Sequence, residues 1–437
     1  MPLTLSAHLL DAASALDGQG DLVIEGERIV ACLTPGKGPQ PRVELPGLFL
    51  LPGLIDLHTH LRTPGQEEKE DLTSGGLAAA RGGFTTVVCM PNTTPALDNP
   101  DIVAHLIGRA EQESPVNVLV AASVTVGNEG RHLTDFRALA EGGAMALSDD
   151  AWPVQDAALM RLAMVQARKV GLPLILHCEH KSLSAAGVVD EGAVAERLGV
   201  KGLPASAEEV AVARNALLAV ETGARAHLTH LTTPRALDLL AQAKKWGGHV
   251  TGDVCPHHLL LGVEDVERLG PLAKVNPPLR PRATAEALRA RAAQGGVDAI
   301  ATDHAPHTKA EKSLPLARAP FGIVGLETAL ALLHGPCGLG LLELTHLLSA
   351  APARILGLGD RGQLQAGRRA DLIVVNAREA YQIRGQEFAS KAKFTPFEGW
   401  EVRAKVVATL VGGRLVHCEG ALAERLDPLL AARAVQQ

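Results

Sequence analysis

Two histidines, His58 and His60, end a short apolar segment that reads Leu54-Ile-Asp-Leu-His-Thr-His60. Side chains two residues apart on a strand point to the same face, so both imidazoles reach the same side. Two imidazoles on one face at a strand end can bind one metal ion. Because many such pairs occur without a metal, this interpretation requires further ligands from elsewhere in the chain.

Other metal-capable side chains follow later apolar segments, namely Asp149, Asp150, His177, His230 and Asp303. Each alone has an ordinary structural interpretation, because buried histidines are often hydrogen-bonded in a core and aspartates often cap loops. Together, four imidazoles and two carboxylates, Asp303 and one of the adjacent Asp149 and Asp150, would be costly to bury without a metal. Nitrogen and oxygen ligands suit one or two zinc-type ions in an open catalytic site.

A metal pair at such a site would hold a water, lower the pKa of that water and polarise a carbonyl group. Asp303, beside the metals, would then carry a proton between the water and a leaving nitrogen. The spacing therefore predicts metal-assisted hydrolysis but does not name a substrate.

Further polar residues follow the same apolar segments and predict substrate contacts. Arg62 and His307 are candidate receptors for a carboxylate, and Asn92 is a candidate amide contact. Arg62 also has the ordinary interpretation of an ion-paired surface arginine, and Asn92 and Asn276 that of turn residues beside proline. The polar segment 308–319 is predicted either as a lid over the substrate or as a surface loop, and the sequence leaves both open.

Short apolar segments alternate with helical patterns through most of the chain. The predicted strands are 54–60, 85–90, 117–123, 144–148, 174–177, 226–230, 250–255 and 299–303. The predicted helices are 156–170, 207–221, 234–246, 284–293, 326–334 and 341–348. Successive βα units predict a TIM-like (β/α)₈ barrel, whose active site lies at the carboxyl ends of the strands.

The two flanks of the chain have a different pattern from the barrel. Segments 22–30, 370–375 and 406–416 alternate like strands and hairpins, and neither flank is long enough for a domain of ordinary size. We therefore predict an α/β fold with two parts. Residues 51–359 form the metal-dependent barrel, and residues 1–50 plus 360–437 form a small β-sandwich domain from both termini.

The composition excludes several classes of function. The chain has 437 residues with 46% hydrophobic residues, 3% aromatic residues and a net charge of -6. It has no basic surface signal for nucleic acid and no apolar run that spans a membrane. Its start lacks the basic region of a signal peptide, so we expect a cytoplasmic protein. The six cysteines form no CxxC pair, and this favours ordinary reduced thiols, including Cys178 and Cys255 near candidate site histidines.

The motifs together resemble the cyclic amidohydrolases of the amidohydrolase superfamily, and most closely the bacterial type I dihydroorotases. The matching segments are Asp56-Leu-His-Thr-His-Leu-Arg62, Arg81-Gly-Gly-Phe-Thr-Thr86, Met90-Pro-Asn-Thr93, Ser148-Asp-Asp150, His177-Cys-Glu179, Lys274-Val-Asn-Pro-Pro278, Thr302-Asp-His-Ala-Pro-His307 and Pro320-Phe-Gly-Ile-Val-Gly-Leu-Glu-Thr328. The resemblance runs from about residue 20 to about residue 415. It implies a zinc enzyme that interconverts N-carbamoyl-L-aspartate and (S)-dihydroorotate in the synthesis of pyrimidines and UMP.

The resemblance also implies roles for single residues. One Zn²⁺ would be bound by His58, His60, Asp150 and Asp303, and a second Zn²⁺ by Asp150, His177 and His230, with Asp150 as the bridge. Asp303 is similar to the general acid/base of the family. The implied substrate contacts are His60, Arg62, Asn92, Asn276, His307, Phe321 and Gly322.

One departure separates the chain from related families. Hydantoinases, allantoinases and many dihydroorotases bridge their metals with a carboxylated lysine, but the fourth strand here ends in Ser148-Asp-Asp150 with no lysine near it. A hydantoinase-like or allantoinase-like cyclic amidohydrolase remains the alternative enzyme. A noncatalytic scaffold for aspartate transcarbamoylase is the alternative of another class. The sequence leaves open a homodimer and an association with aspartate transcarbamoylase.

Overall fold

The structure, a computed structural model, describes residues 2–420 and 422–426. Its strands are β1 Leu3–Asp11, β2 Leu16–Glu25, β3 Arg28–Leu33, β4 Arg42–Pro52, β5 Leu54–Thr59, β6 Phe84–Cys89, β7 Asn117–Ser123, β8 Ala146–Ser148, β9 Leu174–His177, β10 Val189–Asp190, β11 Gly202–Leu203, β12 Ala226–Thr229, β13 Val250–Val254, β14 Ala299–Ile300, β15 Leu372–Asn376, β16 Tyr381–Gln382, β17 Glu401–Val402, β18 Lys405–Val411 and β19 Arg414–Cys418. Its helices are α1 Leu72–Gly82, α2 Pro100–Glu113, α3 Phe136–Glu141, α4 Ala157–Val170, α5 Lys181–Ser184, α6 Ala193–Leu198, α7 Ala205–Thr222, α8 Pro234–Lys245, α9 Pro256–Leu260, α10 Glu264–Leu269, α11 Arg282–Ala293, α12 Lys309–Lys312, α13 Ala329–His334, α14 Leu341–Thr345 and α15 Ala351–Leu356.

The central sheet has eight parallel strands in the order β5-β6-β7-β8-β9-β12-β13-β14. Thr59, at the end of β5, forms a parallel bridge to His304, just beyond β14, and the His60 amide donates to the His304 carbonyl oxygen at 2.8 Å. These contacts join the first strand to the last and close the barrel. Every residue of β5, β6 and β9 is buried, as expected for parallel strands that helices cover.

Local signals in the sequence set the ends of the barrel helices. Asp71 and Ser74 form a capping box at the start of α1, and Gly83 ends the helix in the left-handed conformation with a φ of 87°. Helix α4 follows the same plan, because Asp156 accepts a hydrogen bond from the Leu159 amide and Gly171 ends the helix. The helices therefore return the chain to the amino end of each following strand.

The two termini build a separate seven-stranded sheet in the order β19-β18-β15-β4-β1-β2-β3. Strands β1 and β4 are parallel, and the other neighbours in this sheet are antiparallel. Its apolar core includes Leu5, Leu22, Leu50, Leu372 and Leu410, all buried. The predicted fold class is confirmed. We propose the domain division 51–359 and 1–50 plus 360–437, of which residues 1, 421 and 427–437 lie outside the described part.

Some predicted bounds were wrong. The helix predicted for 326–334 begins at Ala329, and the one predicted for 341–348 leaves α-helical geometry at His346, where a π-helical turn spans His346–Ala350. The strand predicted for 226–230 ends at Thr229, because the φ of His230 is 45°, outside the range of a strand. The strand predicted for 299–303 already ends at Ile300. No helix among the described residues is long and apolar enough to cross a membrane.

Candidate active site

The barrel brings the predicted metal ligands together at the carboxyl ends of its strands. They are buried, with exposures between 0% and 8%: His58, His60, Asp150, His177, His230 and Asp303. We call this group the mouth cluster. Five different strands contribute to it, so ligands distant in sequence meet at one point.

One half of the mouth cluster surrounds the Asp303 carboxylate. Its Oδ1 lies 3.2 Å from Nε2 of His60 and 3.6 Å from Nε2 of His58. Nε2 of His58 also lies 3.4 Å from Oδ1 of Asp150. Ligand atoms of His58, His60 and Asp303 therefore all point to one small volume, within 4.8 Å of one another.

The other half of the mouth cluster surrounds His177 and His230. Nδ1 of His177 faces Nε2 of His230 at 3.0 Å, and these nitrogens lie 3.6 and 3.7 Å from Oδ1 of Asp150. Asp150 therefore contacts both halves, the position required of a bridging ligand. His58 also lies close to this half, since it forms a second compact group with Asp150 and His230.

The chemistry of the mouth cluster fits a zinc-type metal. Nε2 of His58 is buried and has no hydrogen-bond partner, although it faces two carboxylates. An unpartnered buried polar atom costs about 1–3 kcal/mol of stability, and a bound cation would remove this cost. The donor set of four imidazoles and two carboxylates is one that zinc accepts.

The outward ring nitrogens of three histidines have partners that fix their orientation. Nε2 of His177 lies 2.9 Å from Oε2 of Glu179, Nδ1 of His60 lies 2.9 Å from Oδ1 of Asn92, and Nδ1 of His58 lies 3.1 Å from the Thr229 hydroxyl. A metal-binding histidine donates its other N–H in this way, which leaves the lone pair facing the metal. The surroundings therefore prepare the inward nitrogens as ligands.

The charges of the mouth cluster keep its carboxylates ionised. Burial raises the pKa of Asp150, but the positive charge of His58 and the neighbouring imidazoles of His230 and His60 hold it well below its ordinary value. Burial also raises the pKa of Asp303. The hydrogen bond from His60 and the positive charge of His58 outweigh this effect, so the pKa of Asp303 lies below its ordinary value. Both groups are therefore anionic near neutral pH.

A cavity of about 310 Å³ opens beside the mouth cluster, and the predicted substrate contacts line it: Arg62, Asn92, Asn276, His307, Phe321 and Gly322. Its volume suits a small ligand. His60, Asp150, His177 and Asp303 line the same cavity, so a bound molecule would touch metal ligands and polar contacts at once.

Arg62 is the cation of this cavity. Its side chain is 8% exposed, donates from Nε to the Pro306 carbonyl oxygen at 3.2 Å and lies 3.3 Å from Nε2 of His307. Among the described residues, no carboxylate forms an ion pair with it. Burial and the charge of Arg62 lower the pKa of His307, so His307 is neutral and donates to the Phe321 carbonyl oxygen at 2.8 Å. The guanidinium is therefore buried without a carboxylate in ion-pair contact.

Gly322 allows the chain to pass close to the cavity. Its φ is 135°, and a Cβ at this position would lie 2.5 Å from the Ala305 carbonyl oxygen. Three other site residues, Arg62, His230 and Asp303, have positive φ although they are not glycine. Such conformations cost of order 1–3 kcal/mol each and cluster at functional sites.

The structure adds residues that the sequence analysis did not assign. Oε2 of Glu179 contacts Nε2 of His177, Nζ of Lys181 and Nδ2 of Asn276 at 2.9, 2.8 and 2.9 Å. Glu179 thus connects a predicted metal ligand to a predicted substrate contact. Its place two residues after His177 was the signal available in the sequence.

Asp149 points elsewhere and accepts hydrogen bonds from the Thr125 amide and hydroxyl.

The segment predicted as either a lid or a surface loop contains helix α12. Thr308 and Glu311 form a capping box, and the buried Lys312 donates to the carbonyl oxygens of Pro271 and Pro320 at 2.9 and 3.0 Å. These bonds attach the segment to the chain beside Asn276. A role as a lid stays a prediction.

The comparisons with known proteins agree with the site. The "Dihydro-orotase-like" family model matches residues 47–235. A dihydroorotase of Syntrophus aciditrophicus is 42% identical over 95% of this chain and 99% of its own length, and one of Bacillus caldolyticus is 44% identical over 91% and 94%. An L-hydantoinase from Arthrobacter aurescens has the same fold, with a TM-score of 0.87 and 24% identity over 96% of each chain.

Proposed function

Because the chain belongs to the dihydroorotase family, we propose that its barrel mouth binds zinc and interconverts N-carbamoyl-L-aspartate and (S)-dihydroorotate. The family makes it a cyclic amide hydrolase of the amidohydrolase superfamily. The proposal for the site rests on the arrangement of its own residues.

The buried, unpaired guanidinium of Arg62 is the observation that carries the proposed substrate. Burying a charge without a partner costs several kcal/mol, so such a charge persists where a ligand supplies the partner. Both N-carbamoyl-L-aspartate and dihydroorotate carry a carboxylate that Arg62 can bind through paired N–H groups. Asn92 and Asn276, in the same cavity, offer amide groups to the ring.

We propose that the mouth cluster binds two zinc ions through the ligand sets predicted from the sequence. His58, His60, Asp150 and Asp303 would hold one ion, and Asp150, His177 and His230 would hold the other. The contacts of Asp150 with both halves of the mouth cluster support the bridge. Zinc bound there would supply a water of lowered pKa and would polarise the amide carbonyl.

Asp303 is the proposed general acid/base. It is ionised, lies 3.2 Å from His60 and lines the cavity, so it can reach both water and substrate. In ring opening, its carboxylate accepts a proton from the water that attacks the ring amide carbon. It then donates that proton to the ring nitrogen as the carbon–nitrogen bond breaks. Ring closure reverses these proton transfers.

The remaining parts of the proposal concern location and partners. We propose a cytoplasmic location because Cys32, Cys89, Cys178, Cys255 and Cys337 are thiols that form no disulfide. A homodimer and an association with aspartate transcarbamoylase stay predictions. Light scattering of the purified chain, alone and mixed with aspartate transcarbamoylase, would test both.

The test combines metal content with substrate choice. We expect zinc-loaded protein to hold about two zinc ions per chain and to open dihydroorotate far faster than hydantoin. Treatment with a chelator should remove both the zinc and the turnover. Good hydantoin turnover without dihydroorotate turnover would contradict the substrate, and protein that never binds zinc would favour the scaffold alternative.

A further inference from the structure

A second group of metal-capable side chains follows the seventh barrel strand. Cys255 directly follows β13, and His257 and His258 lie in the first turn of α9. One ligand atom from each lies within 4.8 Å of the others. All three side chains are buried, with exposures of 0%, 2% and 3%. We call this group the Cys–His–His cluster.

Two ring nitrogens in the Cys–His–His cluster have no hydrogen-bond partner. They are Nε2 of His257 and Nδ1 of His258, both buried. The other nitrogen of His258, Nε2, lies 2.9 Å from the Pro277 carbonyl oxygen and must donate to it. In a neutral ring this leaves the lone pair on Nδ1. Unsatisfied buried nitrogens of this kind call for an explanation, and a bound ion provides one.

The imidazoles are in the protonation state that binds metal. Burial lowers the pKa of His257 to about 4, and burial also holds the pKa of His258 well below its ordinary value. Both rings are therefore neutral at pH 7. The two ring centroids are 4.1 Å apart, so the rings approach a common point from neighbouring positions.

We propose that Cys255, His257 and His258 form a further zinc-type site, separate from the mouth cluster, that binds a divalent cation through one thiolate and two imidazole nitrogens. Zinc accepts this ligand set, with Zn–S of about 2.3 Å and Zn–N of about 2.0–2.1 Å. These bond lengths require ligand atoms about 3.5 Å apart, so the side chains need to close by roughly 1 Å. The spacing of the cysteines alone favoured an ordinary thiol for Cys255, and the structure supplies two histidines as its partners.

The electrostatic surroundings favour a cation here. Burial raises the pKa of the Cys255 thiol well above its ordinary value, and the negative charges of Asp253, Asp303 and Asp56 raise it further. The same field attracts a divalent ion. When the ion binds, the sulfur–hydrogen bond breaks, the proton passes to solvent and the thiolate becomes a ligand.

The site would brace the loop that carries a substrate contact. His258 donates to Pro277, the residue directly after Asn276, so an ion on Nδ1 of His258 would fix the ring and this hydrogen bond together. Histidine ligands commonly use their second nitrogen in this way. A structural role for the ion follows, distinct from the chemistry at the mouth cluster.

Cobalt(II) added to the full-length protein tests the site. Thiolate ligation gives cobalt a charge-transfer absorption in the near ultraviolet, whereas the mouth cluster offers only nitrogen and oxygen ligands. We expect this absorption in the wild-type protein and a third bound ion per chain by mass spectrometry. Cys255→Ser should lose both, and the control variants Cys178→Ser and Cys337→Ser should retain them.

Several outcomes would overturn the proposal. If wild-type protein loaded with cobalt lacks the absorption, the proposal is refuted and no variant is needed. Its persistence in Cys255→Ser, or its loss in Cys178→Ser, would assign the thiolate elsewhere. Should Cys255→Ser not fold, His258→Asn must weaken cobalt binding at the absorbing site by at least about tenfold, and unchanged binding would refute the assignment. The absorption reports thiolate ligation alone, so this readout does not depend on the proposed function, whereas the count of three ions does.

Discussion

The contact between Glu179 and His177 gives a quantitative test of how the mouth cluster is prepared. We consider Glu179→Gln, which keeps the size of the side chain and removes its charge. In the wild-type chain Oε2 of Glu179 accepts from Nε2 of His177 at 2.9 Å. Burial raises the pKa of Glu179, yet the hydrogen bond and charge of His177 and the charge of Lys181 lower it further, so the group is a carboxylate.

The magnitude follows from the type of hydrogen bond. A bond to a charged acceptor contributes about 1.5–3 kcal/mol, and one between neutral groups about 0.5–1.5 kcal/mol. The substitution should therefore weaken the free energy of zinc binding by about 1–2 kcal/mol, because His177 would be less firmly oriented and less basic. Since about 1.4 kcal/mol corresponds to tenfold, zinc affinity should fall about 5- to 30-fold. This range overlaps the 10- to 100-fold that is typical for partners of metal ligands.

The assay is competition for zinc between the protein and a chelating indicator, measured beside kcat/KM on dihydroorotate. Lys181→Met is the matched control, because Lys181 contacts the same oxygen at 2.8 Å without contacting His177. We expect Lys181→Met to keep wild-type zinc affinity. If Glu179→Gln binds zinc within twofold of wild type, Glu179 does not orient His177, whatever its effect on unfolding.

Three further predictions concern other groups of the site. Asp303→Asn should lower turnover about 10²- to 10⁴-fold with a nearly unchanged Tm, and retained turnover would remove Asp303 from proton transfer. Gly322→Ala should raise KM for dihydroorotate, because its Cβ would meet the Ala305 carbonyl oxygen at 2.5 Å, and an unchanged KM would contradict a close approach there. Burial and the charge of Lys274 lower the pKa of Lys312 to about 7, so the unfolded chain binds one more proton than the folded chain between about pH 7 and the ordinary lysine value. The unfolding free energy should therefore rise with pH in this range, by up to about 1.4 kcal/mol per pH unit more in wild type than in Lys312→Met. Equal slopes in denaturant titrations would refute the lowered pKa of Lys312.

The sequence predicted the barrel well because its signals are local. Apolar segments bounded by glycine and capping residues placed β5, β7 and β9 within one residue of their observed ends, and the ends of the strands located the mouth cluster. The alternation of strand and helix then left one barrel topology to expect.

The features that sequence reasoning missed depend on tertiary neighbours. The role of Glu179 arises from contacts with Asn276, which lies 97 residues away. The positive φ of His230 ended one predicted strand a residue early, and the apolar pattern of the segment did not indicate it, although histidine adopts positive φ more often than most residues. The Cys–His–His cluster is local in sequence but lacks the paired cysteine spacing of common zinc sites, so only the structure showed that its side chains face one another.

The most direct test of the central claim compares substrates with and without the carboxylate that Arg62 is proposed to bind. Dihydrouracil has the ring of dihydroorotate but lacks this group. Loss of a charge-assisted bond of about 1.5–3 kcal/mol predicts that Arg62→Met lowers kcat/KM on dihydroorotate about 10- to 150-fold and leaves the slow turnover of dihydrouracil unchanged. An equal loss on both substrates, or none on dihydroorotate, would contradict the claim that the buried guanidinium selects the substrate.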